Sequence, residues 1–284
     1  MTSPLISASA LRALLASGAP LLLADCRNDL ADPGAGQRAH ERFHLPGALY
    51  FHLDRDLSAP PDGRNGRHPL PTREAFAERL AARGFADHLP VVAYDASGGM
   101  YAARLWWMLR WLGHEAVQVL DGGMAAWDDA GGALQAGPLA PRAPGRFTLR
   151  PPLVGTVDFE TVLGGLGHAR RLIVDARSPD RFRGENETLD PVAGHIPGAV
   201  SRFFRDNLAA GDHFKPADQL RSEWRALLGT HPPADLVAQC GSGVTACHNL
   251  FALCLGGYPL APLYAGSWSE WITDPQRPVA LGDQ

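Results

Sequence analysis

Short apolar runs recur along the chain, each closed by a polar residue and followed by a stretch with helical spacing. Runs at 21–24, 91–94 and 117–120 fall in the first half, and runs at 171–174 and 236–239 in the second. Between them lie longer segments such as "AARLWWMLRWLG" (102–113), whose apolar residues recur at three- and four-residue intervals. Strands of four residues alternating with helices predict an α/β fold, a mainly parallel sheet with helices on both faces. Ligands of such sheets bind beyond the carboxyl ends of the strands, where Asp95 and Cys240 stand in this chain.

The pattern occurs twice. "LISASALRALLASGAPLLLADCR" (5–27) reads as a helix and a buried strand ending in Asp25, and "TVDFETVLGGLGHARRLIVDAR" (156–177) repeats it with Asp175. "RFHLPGALYFHLDRDL" (42–57) matches "AGHIPGAVSRFFRDNL" (193–208), placing His44 over His195 at an offset of 151. "LPVVAYDASGG" (89–99) matches "ADLVAQCGSGV" (234–244), placing Asp95 over Cys240 at an offset of 145. "VLDGGMAAW" (119–127) matches "LYAGSWSEW" (263–271), with Trp127 over Trp271. Four blocks in the same order predict a tandem duplication. Five prolines between 138 and 152 deny the backbone helix and interior-strand hydrogen bonds. The expected organisation is a domain over 1–136, an extended linker over 137–153 and a second domain over 154–284.

Charge narrows the range of partners. The 26 Lys and Arg against 30 Asp and Glu give a formal charge of −4, which offers no general attraction to nucleic acid or an anionic membrane. Arg12 interrupts the apolar N-terminus and no basic segment precedes it, so neither a secretory signal nor a membrane span is expected. Cysteines at 26, 240, 247 and 254 form no disulfide-scaffold spacing, which points to a reducing cytoplasm.

"AQCGSGVTAC" (238–247) carries the candidate chemistry. A strand ending at Cys240 and a helix starting near Thr245 leave a loop whose amide hydrogens can converge on the sulfur, with Gly241 and Gly243 permitting the backbone angles. The helix dipole adds partial positive charge there, which favours a thiolate and would also hold the outer sulfur of a persulfide. The alternative is a buried structural thiol, a role that Cys247 and Cys254 fit well on an apolar helix. A Cys240–Cys247 redox pair lacks the C-x-x-C spacing. A cysteine phosphatase would need an arginine six residues after the nucleophile, where this chain has Ala246. His40 and His44 stand at helical i, i+4 spacing, but no third ligand suggests a zinc site. Asp95 cannot form a persulfide and reads as a structural remnant; Trp127, Trp268 and Trp271 read as packing, with Trp268 a candidate for lining a pocket.

Together "CGSGVTA", "GHIPGA", "HLPGA", "VVAYD", "LDGG" and "GSWSEW" resemble the tandem-domain rhodanese family across essentially the whole chain, the cysteine loop being most similar to the 3-mercaptopyruvate sulfurtransferase branch. The resemblance implies a non-catalytic first domain, a catalytic second domain and sulfur transfer through a Cys240 persulfide, with no metal or organic cofactor. It implies a cradle of Gly241, Ser242, Gly243, Val244 and Thr245, and a relay of Ser242 with a histidine and an aspartate from the first half, matched here by His44 and Asp32. Arg181 in "DRFRGE" matches an arginine used against the donor's anionic end, with Arg183 expected to pair with Glu185. A second arginine expected shortly before "GHIPG" has no match in "ENETLDPVAGHIPG".

Thiosulfate carries two charges, and rhodaneses that favour it place arginine and lysine after the cysteine, where this chain has Gly241 and Ser242. A monoanionic 2-oxo acid needs less compensation, so 3-mercaptopyruvate is the expected donor, with thiosulfate the alternative. A thiol or cyanide is the expected acceptor, thioredoxin among the candidate thiols. A persulfide carrier serving a partner protein is the reading from another class.

Overall fold

A computed structural model describes residues 3–140, 142–167 and 171–283. The chain forms two compact units, one of residues 1–59, 71–153 and 209–214, the other of residues 60–70, 154–208 and 215–284.

In the first unit, β1 (Leu5–Ile6), β2 (Leu22–Asp25), β3 (Leu49–Tyr50), β4 (Val91–Tyr94) and β5 (Val117–Leu120) pair in the order β1-β5-β4-β2-β3. Every pairing is parallel, with Ala24 beside Ala93 and Ala93 beside Val119. The central strands β2 and β4 are buried along their whole length, which is why they read as continuous apolar runs without alternation. Leu23, Val92, Leu120 and Trp127 join one core cluster on this sheet. The helix Ala102–Trp111 is buried from Ala102 to Leu109 and follows the loop at Asp95.

The second unit repeats the plan. β6 (Thr156–Val157), β7 (Leu172–Asp175), β8 (Ala199–Ser201), β9 (Leu236–Gln239) and β10 (Leu263–Tyr264) pair in parallel in the order β6-β10-β9-β7-β8. Ile173, Val237, Tyr264, Trp268 and Trp271 form its core on one face. On the other, the helix Thr245–Leu255 is buried from Ala246 to Leu253, each large apolar side chain contributing about 1.5–3 kcal/mol. The corresponding strand orders confirm the duplication.

The four-residue strands fall where the apolar runs predict them, two of them shifted by one residue. The two- and three-residue strands carry no legible pattern, because a run that short shows neither alternation nor continuity. The proline-rich stretch contains no helix among its described residues; Pro141 lies outside them. It is tied down by amide hydrogen bonds from Gly145 to Ala81 O, Arg150 to Leu112 O and Leu153 to Arg110 O. Among the described residues no helix is long and apolar enough to cross a membrane.

Candidate active site

The last residue of β9 is Gln239, and Cys240 begins the turn into the helix Thr245–Leu255. Cys240 is 1% exposed. Its amide donates to Ser267 Oγ at 3.1 Å and its carbonyl accepts from Trp268 N at 3.0 Å. Gly241 O accepts from Ser269 N at 2.9 Å, so the turn is sewn to the "GSWSEW" segment. The Gly243 amide donates to Cys240 Sγ at 3.1 Å. Gly243 has φ of 76°, and a Cβ there would lie 2.3 Å from Ala265 O. Only glycine meets both demands, so this position fixes the loop that aims an amide at sulfur.

The first unit shows what this turn binds. Asp95 occupies the position of Cys240, and its Oδ1 accepts from Ser97 N at 2.8 Å and Gly99 N at 2.9 Å. Its Oδ2 accepts from Tyr101 N at 2.8 Å and Ala102 N at 2.9 Å. Burial raises the pKa of this carboxyl group, and the four amides pull the other way. Gly98, the counterpart of Gly243, has φ of 68°. The same strand–loop–helix therefore cradles an anionic side chain in one unit and a thiol in the other.

The two units also differ at a position that spacing alone does not reveal. Aligning Trp127 with Trp271 places Gly123 over Ser267, and both have φ of 55°. A left-handed conformation is natural for glycine and costs a serine about 1–2 kcal/mol. Ser267 is fully buried; its Oγ accepts the Cys240 amide and donates to Tyr264 O at 2.9 Å. The strained serine supplies the hydroxyl that holds the cysteine's backbone.

Ser242 Oγ lies 2.7 Å from Nδ1 of His68, both residues being buried. This is the place that the resemblance assigns to His44, and the structure corrects it. His44 has its Nδ1 on His40 O at 2.7 Å and stacks on His40 with ring centroids 4.0 Å apart. His195 does the same, with Nδ1 on Phe182 O at 2.8 Å and a stacking distance of 3.8 Å. The two motif histidines thus serve the same structural end. Each tautomer is set by a main-chain oxygen, and burial lowers the His44 pKa. His40 in turn hydrogen-bonds Asp25 through Nδ1 at 2.9 Å. Asp32, the acid that the resemblance matched to the relay, is half exposed and ion-paired with Arg38. His68 sits in the glycine- and proline-rich segment 60–70. Its signal in the sequence is the match of "GRHPLP" (66–71) with "GDHFKP" (211–216), which places His68 over His213 at the offset of 145 that also relates Asp95 to Cys240.

Arg181 lies beside the cysteine loop. Its NH2 and NH1 would be 3.6 and 3.7 Å from a Cβ on Gly241. The guanidinium donates to Glu187 through Nε at 3.1 and 3.0 Å and to Asp190 Oδ2 at 3.0 Å. Arg67 approaches the same glycine from another segment, its NH2 at 3.1 Å from that Cβ position, and is ion-paired with Asp190. The Arg67 amide donates to Ser269 Oγ at 3.0 Å, which anchors the segment carrying His68.

Arg177 is bound to Asp175 at 2.6 Å and lies 4.8 Å above the Trp268 ring. Burial opposes its charge, but Asp175, Glu187 and Cys240 together raise its pKa. Trp268 is fully buried beneath it, its indole N–H on Val192 O at 2.9 Å. Arg183 pairs with exposed Glu185 at 2.7 Å. Cys247 points its thiol at Gly243 O, 3.3 Å away, and supports the turn. Val244 is buried and Thr245 opens the helix.

A buried cysteine at a strand end, an amide aimed at its sulfur, a serine–histidine pair and a cluster of guanidinium groups lie together in the second unit, an arrangement able to hold a reactive thiol beside an anion. The rhodanese-like domain model matches residues 7–130 and 159–274, and the chain belongs to the rhodanese family. It is 51% identical to the "probable 3-mercaptopyruvate sulfurtransferase" of Pseudomonas aeruginosa, over 99% of each chain. It is 40% identical to human 3-mercaptopyruvate sulfurtransferase, covering 93% of this chain and 89% of the human one. The solved structure of SseA from Escherichia coli, described as a 3-mercaptopyruvate sulfotransferase of rhodanese fold, superposes with a TM-score of 0.80 at 30% identity, over 95% of this chain and all of that one. The protein is accordingly an enzyme, a sulfurtransferase.

Proposed function

We propose that the enzyme takes sulfur from 3-mercaptopyruvate onto Cys240 and passes it to a thiol or to cyanide, thioredoxin being a candidate thiol. The observation that carries this reading is the Gly243 amide on Cys240 Sγ at 3.1 Å, in a turn whose twin binds the Asp95 carboxylate with four amides. In the proposed first step the Cys240 thiolate attacks the donor's sulfur and the donor's C–S bond breaks. The electron pair passes to carbon as the enolate of pyruvate, which takes up a proton; Cys240 is left as a persulfide. The acceptor then attacks the outer sulfur, the S–S bond breaks and the Cys240 thiolate returns.

Ser242 and His68, sharing a proton across 2.7 Å, are placed to move that proton. The uncharged Gly241 and Ser242 and the ion-paired state of Arg67 and Arg181 favour a monoanionic donor over thiosulfate. Sulfur carries the group throughout, so the cycle calls on no metal or organic cofactor. Four free cysteines suit a reducing cytoplasm.

A steady-state comparison of the purified protein with Cys240→Ser, using both donors and both a dithiol and cyanide, tests the reading. Multiple turnovers with 3-mercaptopyruvate that vanish in the variant are expected. Activity surviving in Cys240→Ser removes Cys240 as the sulfur carrier, stoichiometric loading without turnover makes the protein a carrier, and preference for thiosulfate overturns the donor.

A further inference from the structure

Three arginines and three carboxylates interlock in the second unit beside the cysteine turn. Arg177 is engaged by Asp175 at 2.6 Å, and Glu187 faces both Arg177 at 3.6 Å and Arg181 at 2.9 Å. Asp190 joins Arg181 to Arg67. Asp190 and Glu187 have side chains only 2% exposed, while Arg181 is 16% and Arg67 32% exposed. Asp190 is held in place: Glu187 Oε1 accepts the Leu189 amide at 2.9 Å and the Asp190 amide at 3.1 Å, closing the turn from which the carboxylate projects. The two guanidinium groups that approach Gly241 therefore share a buried carboxylate belonging to the protein itself.

From this geometry we infer that Asp190 is the specificity-determining residue of the site: its carboxylate occupies the Arg67–Arg181 pair, sets the anion-binding strength beside Cys240 and so discriminates donors by charge. The inference rests on the reading of Cys240 as the sulfur-accepting centre. The physical basis is competition. An arginine paired with a fixed internal carboxylate offers an incoming anion only the surplus of its field, and that surplus acts on a dianion with twice the energy it exerts on a monoanion at the same place. Asp190 thus penalises thiosulfate more than 3-mercaptopyruvate. Burial raises the Asp190 pKa while Arg67 draws it down, so this charge depends on the arginines it compensates. Gly241 belongs to the same device, because a side chain there would meet Arg67 at 3.1 Å.

Asp190→Asn tests the inference. If the lost charge strengthens binding of the monoanion about tenfold, or about 1.4 kcal/mol, the dianion should gain about a hundredfold. The kcat/KM ratio of thiosulfate to 3-mercaptopyruvate then rises about tenfold, carried by KM, while Asp190→Glu keeps the wild-type ratio. Arg67→Gln moves the ratio the opposite way and decides the matter if Asp190→Asn does not fold. Shifts equal for the two donors within threefold, or no shift, overturn the proposal. Calorimetric titration with sulfate separates it from the sulfur-transfer reading. If the wild type turns over neither donor, that reading fails, and tighter sulfate binding by Asp190→Asn still upholds the role of Asp190; unchanged sulfate binding refutes it.

Discussion

Ser267 offers a test in which strain and hydrogen bonding can be separated. Its φ of 55° is shared with Gly123 at the corresponding place in the first unit, where no side chain is present to resist it. Ser267→Ala keeps the left-handed backbone but loses the hydroxyl that accepts the Cys240 amide and donates to Tyr264 O. Each lost bond costs about 1 kcal/mol, and the stranded buried amide of Cys240 raises the total to about 2–4 kcal/mol. Ser267→Gly loses the same bonds yet removes the conformational penalty. After the extra chain entropy of glycine is counted, it should be about 1 kcal/mol more stable than the alanine variant.

Urea unfolding followed by tryptophan fluorescence reads the difference, since Trp224, Trp268 and Trp271 are all buried in the second unit. Both variants should also lose kcat/KM to a similar degree, because each releases the backbone of Cys240. Equal stability of the alanine and glycine variants would refute the strain argument. Full activity in both would show that the hydroxyl does not position the cysteine.

Two further outcomes follow from the same geometry. His68→Gln should lower kcat with 3-mercaptopyruvate by roughly 10²–10⁴-fold, the range of general acid–base assistance, and affect thiosulfate far less. Loss of pyruvate requires protonation at carbon, whereas sulfite departs as a stable anion; equal losses with the two donors would remove His68 from the proton path. Away from the site, burial works against the Glu223 carboxylate, but Lys215, Arg202 and Gln219 donate to it and bring its pKa down to about 2. Its folded pKa lies below the ordinary 4.5, so its stabilisation is present above pH 4.5 and is lost as pH falls towards 2. Unfolding free energies measured across that interval should fall more steeply for the wild type than for Glu223→Gln, and parallel curves would contradict the assignment.

The duplication, the parallel α/β class, the long central strands and the place of Cys240 are all legible in the linear order of residues. Those features are local or periodic: a buried four-residue strand needs four apolar residues in succession, and a turn that packs an amide against sulfur needs glycine at one position. The matching of Asp95 with Cys240 and of His44 with His195 is legible for a related reason, because duplicated folds keep their blocks in register.

Which distant side chains complete the site is settled by folding alone. His68 meets Ser242 across 174 positions, and Arg67 meets Asp190 across 123. Both come from a segment with no helix or strand, whose residues are placed by hydrogen bonds to Ser269 and Ser242. No arginine stands shortly before "GHIPG", whereas Arg67 brings a guanidinium to Gly241 from elsewhere in the chain, ion-paired with Asp190. Periodicity reports which face of an element is buried; it carries no information on which loop returns to that element, and charge pairing across such a return is fixed only when the chain has folded.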